Sequence, residues 1–383
     1  MITRLASLGT VQNFSHYSFF QTIFLILFLA GTPVNGDNRP GGADAQHPLE
    51  EELAVFNGRV IDSIEIENRE IFDTKDEAFD NFIFRTANKL HIKTQKSIIY
   101  RELLLNKGEE FDAELAEESV RNLRNRYIIF DAWNEVTLLS DSTILWRIVT
   151  IDEWSFAGGF EVSREGNEYI YEIGFEEKNF LGLNQLLSLD YVIQEKDDNY
   201  FKSSFRDYRL FGKPVSFAAS YSDNPRSDVK ALSVSRPFYN LSQKNSFGFH
   251  LALASTRNEV FSNSRLIGSS RSVSDIYGTS LSYRFGDRVK NLVSTLFYDY
   301  NYERTGDKII HSAVAADSSL SFSSFPKDSL YHQLGLGFRI FKVDFVTFRK
   351  IDGFGFTEDF TLGHTAAIGY SRAFNPDFDD HVY

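Results

Sequence analysis

The side chains that could do chemistry in this chain are few and scattered. Eight histidines are spread through 383 residues, and no cysteine is present to serve as nucleophile, thiolate metal ligand or disulfide partner. No GxSxG, HExxH or Walker-type loop occurs. His91 lies between Leu90 and Ile92; a lone imidazole between apolar neighbours reads as structural rather than as a general base. Asp197-Asp198 and Asp379-Asp380 could touch a cation, but calcium takes six or more oxygens in one array. They read as solvated turn and terminus. Glu117-Glu118, at the start of a helical pattern, complement a helix dipole, and Arg121, Arg124 and Arg126 read as that helix's solvated face. No cofactor, no metal and no enzymatic reaction are expected.

The elements along the chain are legible from periodicity. Val60–Ile66 alternates as a strand. Asp76–Leu90 has an amphipathic stripe of Phe79, Phe82, Ile83, Ala87 and Leu90, expected to pack as core. Thr94 can cap a second helix carrying Ile98, Ile99 and Leu103, with Gly108 past its end. Asp112 can cap a third, with Ala116, Val120, Leu123 and Tyr127 on one face. Two strands follow, one with Val136 and Leu138, the other with Ile144, Trp146 and Ile148, joined by a turn at Asp141-Ser142. Together, 58–153 reads as one α/β module.

Near Trp154 the hydrophobic period switches to two. Leu187, Leu189, Tyr191 and Ile193 alternate with Ser188, Asp190, Val192 and Gln194. The pattern recurs at Phe247, Phe249, Leu251 and Leu253, and at Leu334, Leu336, Phe338 and Ile340. Segments of this kind separated by turns are the signature of membrane β-barrels, and about ten strands can be counted. Arg236, inside one of them, is expected to face the lumen or a rim. Thr256–Asp275 and Glu303–Lys327 are polar and serine-rich, and read as long outer loops. With 37 Phe and 18 Tyr, the composition favours strands and can supply aromatic girdles. A mean hydropathy of −0.27 fits a sheet of which only alternate residues meet lipid. The net charge of −13 and the lack of a basic stripe argue against nucleic-acid binding.

At the amino end, Phe19–Ala30 is an apolar run too short to span a bilayer comfortably. With Arg4 before it and Val34-Asn35-Gly36 after it, 1–36 reads as a signal peptide. Residues 37–57, rich in Pro, Gly and acids, read as a flexible acidic linker.

Several words carry a resemblance: ANKLHIKT at 87–94, YRELLLNKGEEFD at 100–112, EESVRNLRNR at 117–126, TIDEW at 150–154, EEKNFLGLNQLLSLDY at 176–191, SRPFYNL at 235–241 and GFGFTED at 353–359. In this order the chain resembles the Omp85 superfamily, a POTRA domain joined to a bacterial surface antigen-type barrel. The resemblance implies an α+β POTRA-like domain at 58–153, then an antiparallel transmembrane β-barrel over 154–383, with Asn179 and Gly182 making the first tight turn. It implies an outer-membrane location with the POTRA-like domain in the periplasm, and a non-enzymatic role in assembling or translocating polypeptides. A POTRA-like module has a short sheet with an exposed edge, to which an extended client can add a strand. The resemblance implies that edge within the last two strands, at about 132–138 and 144–150, with Asn134, Val136 and Leu138 as the residues to present it. Edges in native proteins are often blunted, so a merely solvated edge is the alternative. Implied partners are unfolded outer-membrane or secreted polypeptides, the lipid bilayer and periplasmic accessory proteins. A dedicated two-partner-type exporter, or a surface structural or adhesive barrel, is the alternative. Members of the family have about sixteen strands. Here the last nine residues are polar and contain Pro376, a poor closing strand, so a partial, open barrel is expected.

Overall fold

The computed structural model describes residues 50–77, 79–126, 128–262, 265–306, 309–310, 328–349 and 357–374. The expected signal segment, residues 37–49 of the expected linker, Tyr127 and the polar terminus lie outside them.

The α/β module begins earlier than its sequence suggests. Residues 50–56, expected in the flexible linker, form α1 (Glu50–Leu53) and a 3-10 turn (Ala54–Phe56). Leu53 reaches the core, and Asn57 Oδ1 accepts a hydrogen bond from Ala113 N, so this piece closes the module's base. Then come β1 (Val60–Arg69), α2 (Phe82–Leu90), α3 (Lys96–Tyr100), α4 (Ala113–Arg124), β2 (Ile129–Leu138) and β3 (Thr143–Asp152). The sheet order is β1-β3-β2, with β1 parallel and β2 antiparallel to β3. A parallel pair needs a crossover, which the helices supply. Ile61, Ile144, Trp146 and Ile148 of the sheet pack on Ile99, Ala116, Val120 and Leu123. Trp146 is fully buried, and its indole N–H donates to Asn134 Oδ1 at 2.9 Å, which removes the cost of burying a polar edge.

Asp112 caps α4 as expected, accepting from Leu115 N at 3.1 Å. Two other readings change. Thr94 does not cap α3; its neighbour Gln95 takes that place without a side-chain bond. The stripe on α2 does not become core as a whole. Phe79 and Ala87 are buried, but Phe82, Ile83 and Leu90 are exposed. The space on the packed side is already filled by Phe72, Phe79 and Phe84, whose rings meet at 4.7–5.8 Å.

From Phe156 the chain forms one antiparallel, open, twelve-stranded sheet: β4 (Phe156–Glu165), β5 (Glu168–Glu177), β6 (Gln185–Gln194), β7 (Tyr200–Asp207), β8 (Ser216–Asn224), β9 (Ser227–Arg236), β10 (Asn245–Ser262), β11 (Arg265–Gly286), β12 (Lys290–Thr305), β13 (Ile309–Ile310), β14 (Ser329–Arg349) and β15 (Thr357–Phe374). Strands pair in sequence order, except that β13 lies against β11 and β12 pairs with β14. Among the described residues, β4 and β15 are its edges.

The register gives the sheet two unlike faces, since directly opposed residues share a face. One row runs Phe247, Leu281, Leu296, Leu336, Tyr370. The adjacent row, on the other face, runs Gly248, Ser280, Phe297, Gly335, Ser371. On the first strands Phe160, Ile173, Tyr191 and Phe201 align on the apolar face, while Lys202 Nζ meets Glu172 at 2.9 Å on the polar one. Arg236 ends β9 at a rim.

Thr256–Asp275 is not a loop. The β10–β11 ladder continues to the pair Ser262–Arg265. Its sequence is rich in polar residues, which reads as loop, yet Asn258 donates to Ser272 and Arg271 reaches Asp228, so cross-strand partners sustain the ribbon. Of Glu303–Lys327, residues 303–305 extend β12, and 311–327 lie outside the described residues.

Candidate functional site

A group of buried ion pairs and hydrogen bonds lies where the α/β module meets one rim of the sheet. Nearly every word that carried the sequence resemblance contributes. Glu102 is buried and accepts from Arg209 Nε at 2.8 Å and Arg126 Nη2 at 2.9 Å. Arg209 belongs to the β7–β8 turn, and its guanidinium lies 4.5 Å from the Tyr239 ring centre. Glu118 accepts from Leu241 N at 2.6 Å and pairs with Arg288. Arg124 grips Asp359 of β15 through two bonds of 2.7 and 2.8 Å, and its Nη1 donates to Ala132 O. Arg121 lies over the Phe345 ring at 4.0 Å. Thr357 donates to Asp131 at 3.2 Å.

The arginines expected on a solvated face, and the glutamates expected to serve only a helix dipole, are therefore joint residues. Their partners are remote in sequence, Arg124 and Asp359 being 235 positions apart, so no local spacing could reveal them. Burial alone pushes the Glu102 carboxyl up, but the Arg209 hydrogen bond and the charges of Arg126 and Arg209 outweigh it and hold the pKa below its ordinary value. Glu117 is the reverse case. Burial dominates and raises its pKa despite Arg124 and the hydrogen bond from Asn134.

At the other end of the joint, Asn179 in the β5–β6 turn donates to Thr94 Oγ1 and Ile92 O at 2.9 and 3.0 Å. Gln95 N donates to Gly182 O at 2.9 Å. The turn was expected to rest on Asn179 and Gly182, and it does. Gly182 has φ +75, and a Cβ there would stand 2.5 Å from Lys93 O. His91 packs as a structural residue, its Nε2 3.1 Å from Asp152 Oδ2. Asp197, considered for a cation, accepts from Arg226 Nε at 2.6 Å. Asp379 and Asp380 lie outside the described residues. Among the described residues no group of three or more His, Asp or Glu gathers as for a metal ion, and no helix is long and apolar enough to cross a membrane.

Two kinds of solved structure are similar to this chain. BamA from Haemophilus ducreyi lacking POTRA domains 1-3 aligns at 11% identity and a TM-score of 0.34, over 82% of this chain and 84% of that one. CdiB from Acinetobacter baumannii aligns at 13% and 0.31 over 84% of this chain, and CdiB from Escherichia coli at 11% and 0.35 over 82%. The chain spans 53% and 61% of the length of the two CdiB structures. No family model and no curated protein matches. A likeness at this level assigns no chemistry, which rests on the contacts of this chain.

Those contacts bear on the edge strand β2. Ala132 C=O accepts from Arg124, and Ala132 N donates to Asp131 Oδ1 at 2.8 Å, so Ala132 turns its backbone away from β3. The β2–β3 register is regular from Asp131 to Leu138. In an antiparallel ladder outward and inward residues alternate, which places the backbone groups of Asn134, Val136 and Leu138 on the outer edge. The Asn134 side chain is occupied internally, by Trp146 and Glu117. Leu138 is exposed. The opposite edge, β1, is blunted at its start by residues 108–111, through Gly108 N to Ile61 O and Phe111 N to Arg59 O.

Proposed function

We propose that the chain is an outer-membrane assembly or translocation factor of the Omp85 type, whose POTRA-like module holds extended polypeptide on the outer edge of β2. The sheet, apolar on one face and polar on the other, is the membrane-embedded part. The module sits in the periplasm against the rim of short turns, and the β10–β11 ribbon projects on the other side. The observation that carries the reading is the pairing of this two-faced sheet with a module fixed to its rim, whose edge is side-chain-capped at Ala132 and turns outward at Asn134, Val136 and Leu138.

Capture needs no reacting group. Each hydrogen bond added along the edge contributes about 0.5–1.5 kcal/mol net, so three outward-facing residues hold a strand weakly and reversibly. That suits a factor that passes its client on to the membrane.

The test is Val136→Pro. Its N–H faces outward, so proline removes a donor from the edge and none from the β2–β3 ladder. Client crosslinking to β2 is expected to fall while membrane insertion is retained. Unchanged crosslinking overturns capture at this edge. Depletion then defines client range: loss of many outer-membrane proteins indicates general assembly, and loss of one secreted protein indicates dedicated export.

A further inference from the structure

Three apolar residues of α2 are turned away from the module's packed side, and the end of α2 stands at the foot of the sheet's apolar face. Phe82, Ile83 and Leu90 form one stripe, and Phe82 and Leu90 are 81% and 70% exposed. The opposite side of the helix is already packed by the Phe72–Phe79–Phe84 cluster. Arg85 and Lys89 flank the stripe, where long cationic side chains can extend toward water.

Two rim turns repeat the same device. In β5–β6, Leu181 has φ 57 and is followed by Gly182 at φ 75; in β7–β8, Phe211 has φ 53 and is followed by Gly212 at φ 74. Each glycine faces the module, Gly182 against Lys93 O and Gly212 against the Arg101 guanidinium. Each left-handed apolar residue is left outside, Leu181 60% and Phe211 90% exposed. A non-glycine residue in this conformation is strained, and the strain is used twice to hold an apolar side chain away from the protein.

The end of α2 and the β5–β6 turn adjoin the sheet's apolar face. Asn179, two residues before Leu181, holds Ile92 O just past α2. The His91 ring lies 6.3 Å from Trp154. Trp154 donates to Phe156 O, and Phe156 stacks with Phe175 on that face at 6.4 Å. Exposed apolar surface continuous with a lipid-facing one has a stated occupant.

We propose that α2 and the tips of these two turns form a lipid-contacting foot, with Phe82, Ile83, Leu90, Leu181 and Phe211 entering the membrane interface on the module's side. The foot fixes the height of the module beneath the sheet, and so of the β2 edge. The inference rests on the membrane reading above and adds to it a second membrane contact, made by the module itself.

The absence of native cysteine permits a clean test on the full chain reconstituted in lipid vesicles. Phe82→Cys, Phe211→Cys, Leu281→Cys and Leu139→Cys are each labelled with a nitroxide, and collision with oxygen is compared with collision with a water-soluble nickel chelate. Leu281 reports the sheet's apolar face. Leu139 is exposed in the β2–β3 turn, at the end of β3 remote from the joint, about 30 Å away along a ten-residue strand. The oxygen-to-nickel ratio at 82 and 211 is expected to exceed that at 139 severalfold and to approach that at 281. A lipid-type ratio at 281 with a water-type ratio at 82 and 211, or with neither reagent reaching them, overturns the foot and leaves the membrane reading standing. A water-type ratio at 281 overturns both.

Discussion

Glu102 is buried and Glu117 half-buried; both belong to the joint, and they have opposite electrostatic character. Glu102 lies between two arginines that hold its pKa below the ordinary carboxylate value. A depressed pKa adds stability above the unfolded value, and that stability is lost as pH falls through the folded one. The joint should therefore hold through neutral and mildly acidic conditions and loosen only in strong acid. Glu102→Gln leaves Arg209 buried without its charge partner, which should cost about 3–5 kcal/mol. Glu117 has a raised pKa, so its contribution is full below the unfolded value and is lost as pH rises through the folded one. Glu117→Gln keeps an acceptor for the Asn134 amide and removes a carboxylate that burial disfavours. At neutral pH it should be neutral or stabilising by up to about 1 kcal/mol. The tryptophans are Trp133, Trp146 and Trp154, all in the module or at its exit, so urea unfolding followed by their fluorescence measures both variants. Sequence indicated helix-dipole complementation at Glu117 and did not single out Glu102. It could not indicate the joint, because helical spacing describes a face and says nothing about a partner more than a hundred residues away.

At the scale of elements, legibility depended on whether a local rule had only one way to be satisfied. Asp112 before Ala116, Val120 and Leu123 allowed one outcome, and α4 formed there. The stripe at 79–90 had two, core or lipid, and hydrophobic period alone cannot separate them. The segment 256–275 shows the complementary ambiguity, since serine and threonine suit turns and polar strands alike, and pairing with β10 decides. The β5–β6 turn was readable from Asn179 and Gly182, but its closeness to the module was not. That closeness makes a sharp prediction. Gly182→Ala adds a Cβ 2.5 Å from Lys93 O at φ +75, where an L residue is already disfavoured. The turn must move, so the bond from Gln95 N to Gly182 O should break. Hydrogen exchange at the Gln95 amide is expected to accelerate, with the amides of β2 and β3 unchanged. Unaltered protection at Gln95 would show that the turn does not rest on the module.

The whole molecule is built on two sheets, and the period-two alternation that announced the larger one also states how it should respond to charge. The module touches that sheet near both of its described edges. β3 leads directly into β4, and Arg124 and Asp131 hold Asp359 and Thr357 at the start of β15. The module thus contacts the first and last described strands at one rim. The faces between them can be tested one residue apart. Ala219 is paired with Phe205 and Leu232 on the apolar face, and Ser220 with Ser204 and Ala231 on the polar one. In lipid, arginine on the outward face near the bilayer midplane costs about 2–4 kcal/mol, whereas lumen-facing substitutions are tolerated. Ala219→Arg should therefore impair insertion into vesicles or lower the urea midpoint of the inserted form, while Ser220→Arg leaves both close to the parent. If the sheet instead lay in water, Ala219→Arg would add a charge to an exposed surface, and the two variants would behave alike. The contrast between adjacent residues removes any general effect of a bulky cation on β8. It therefore reads the one property on which the membrane assignment depends: which face of this sheet meets hydrocarbon.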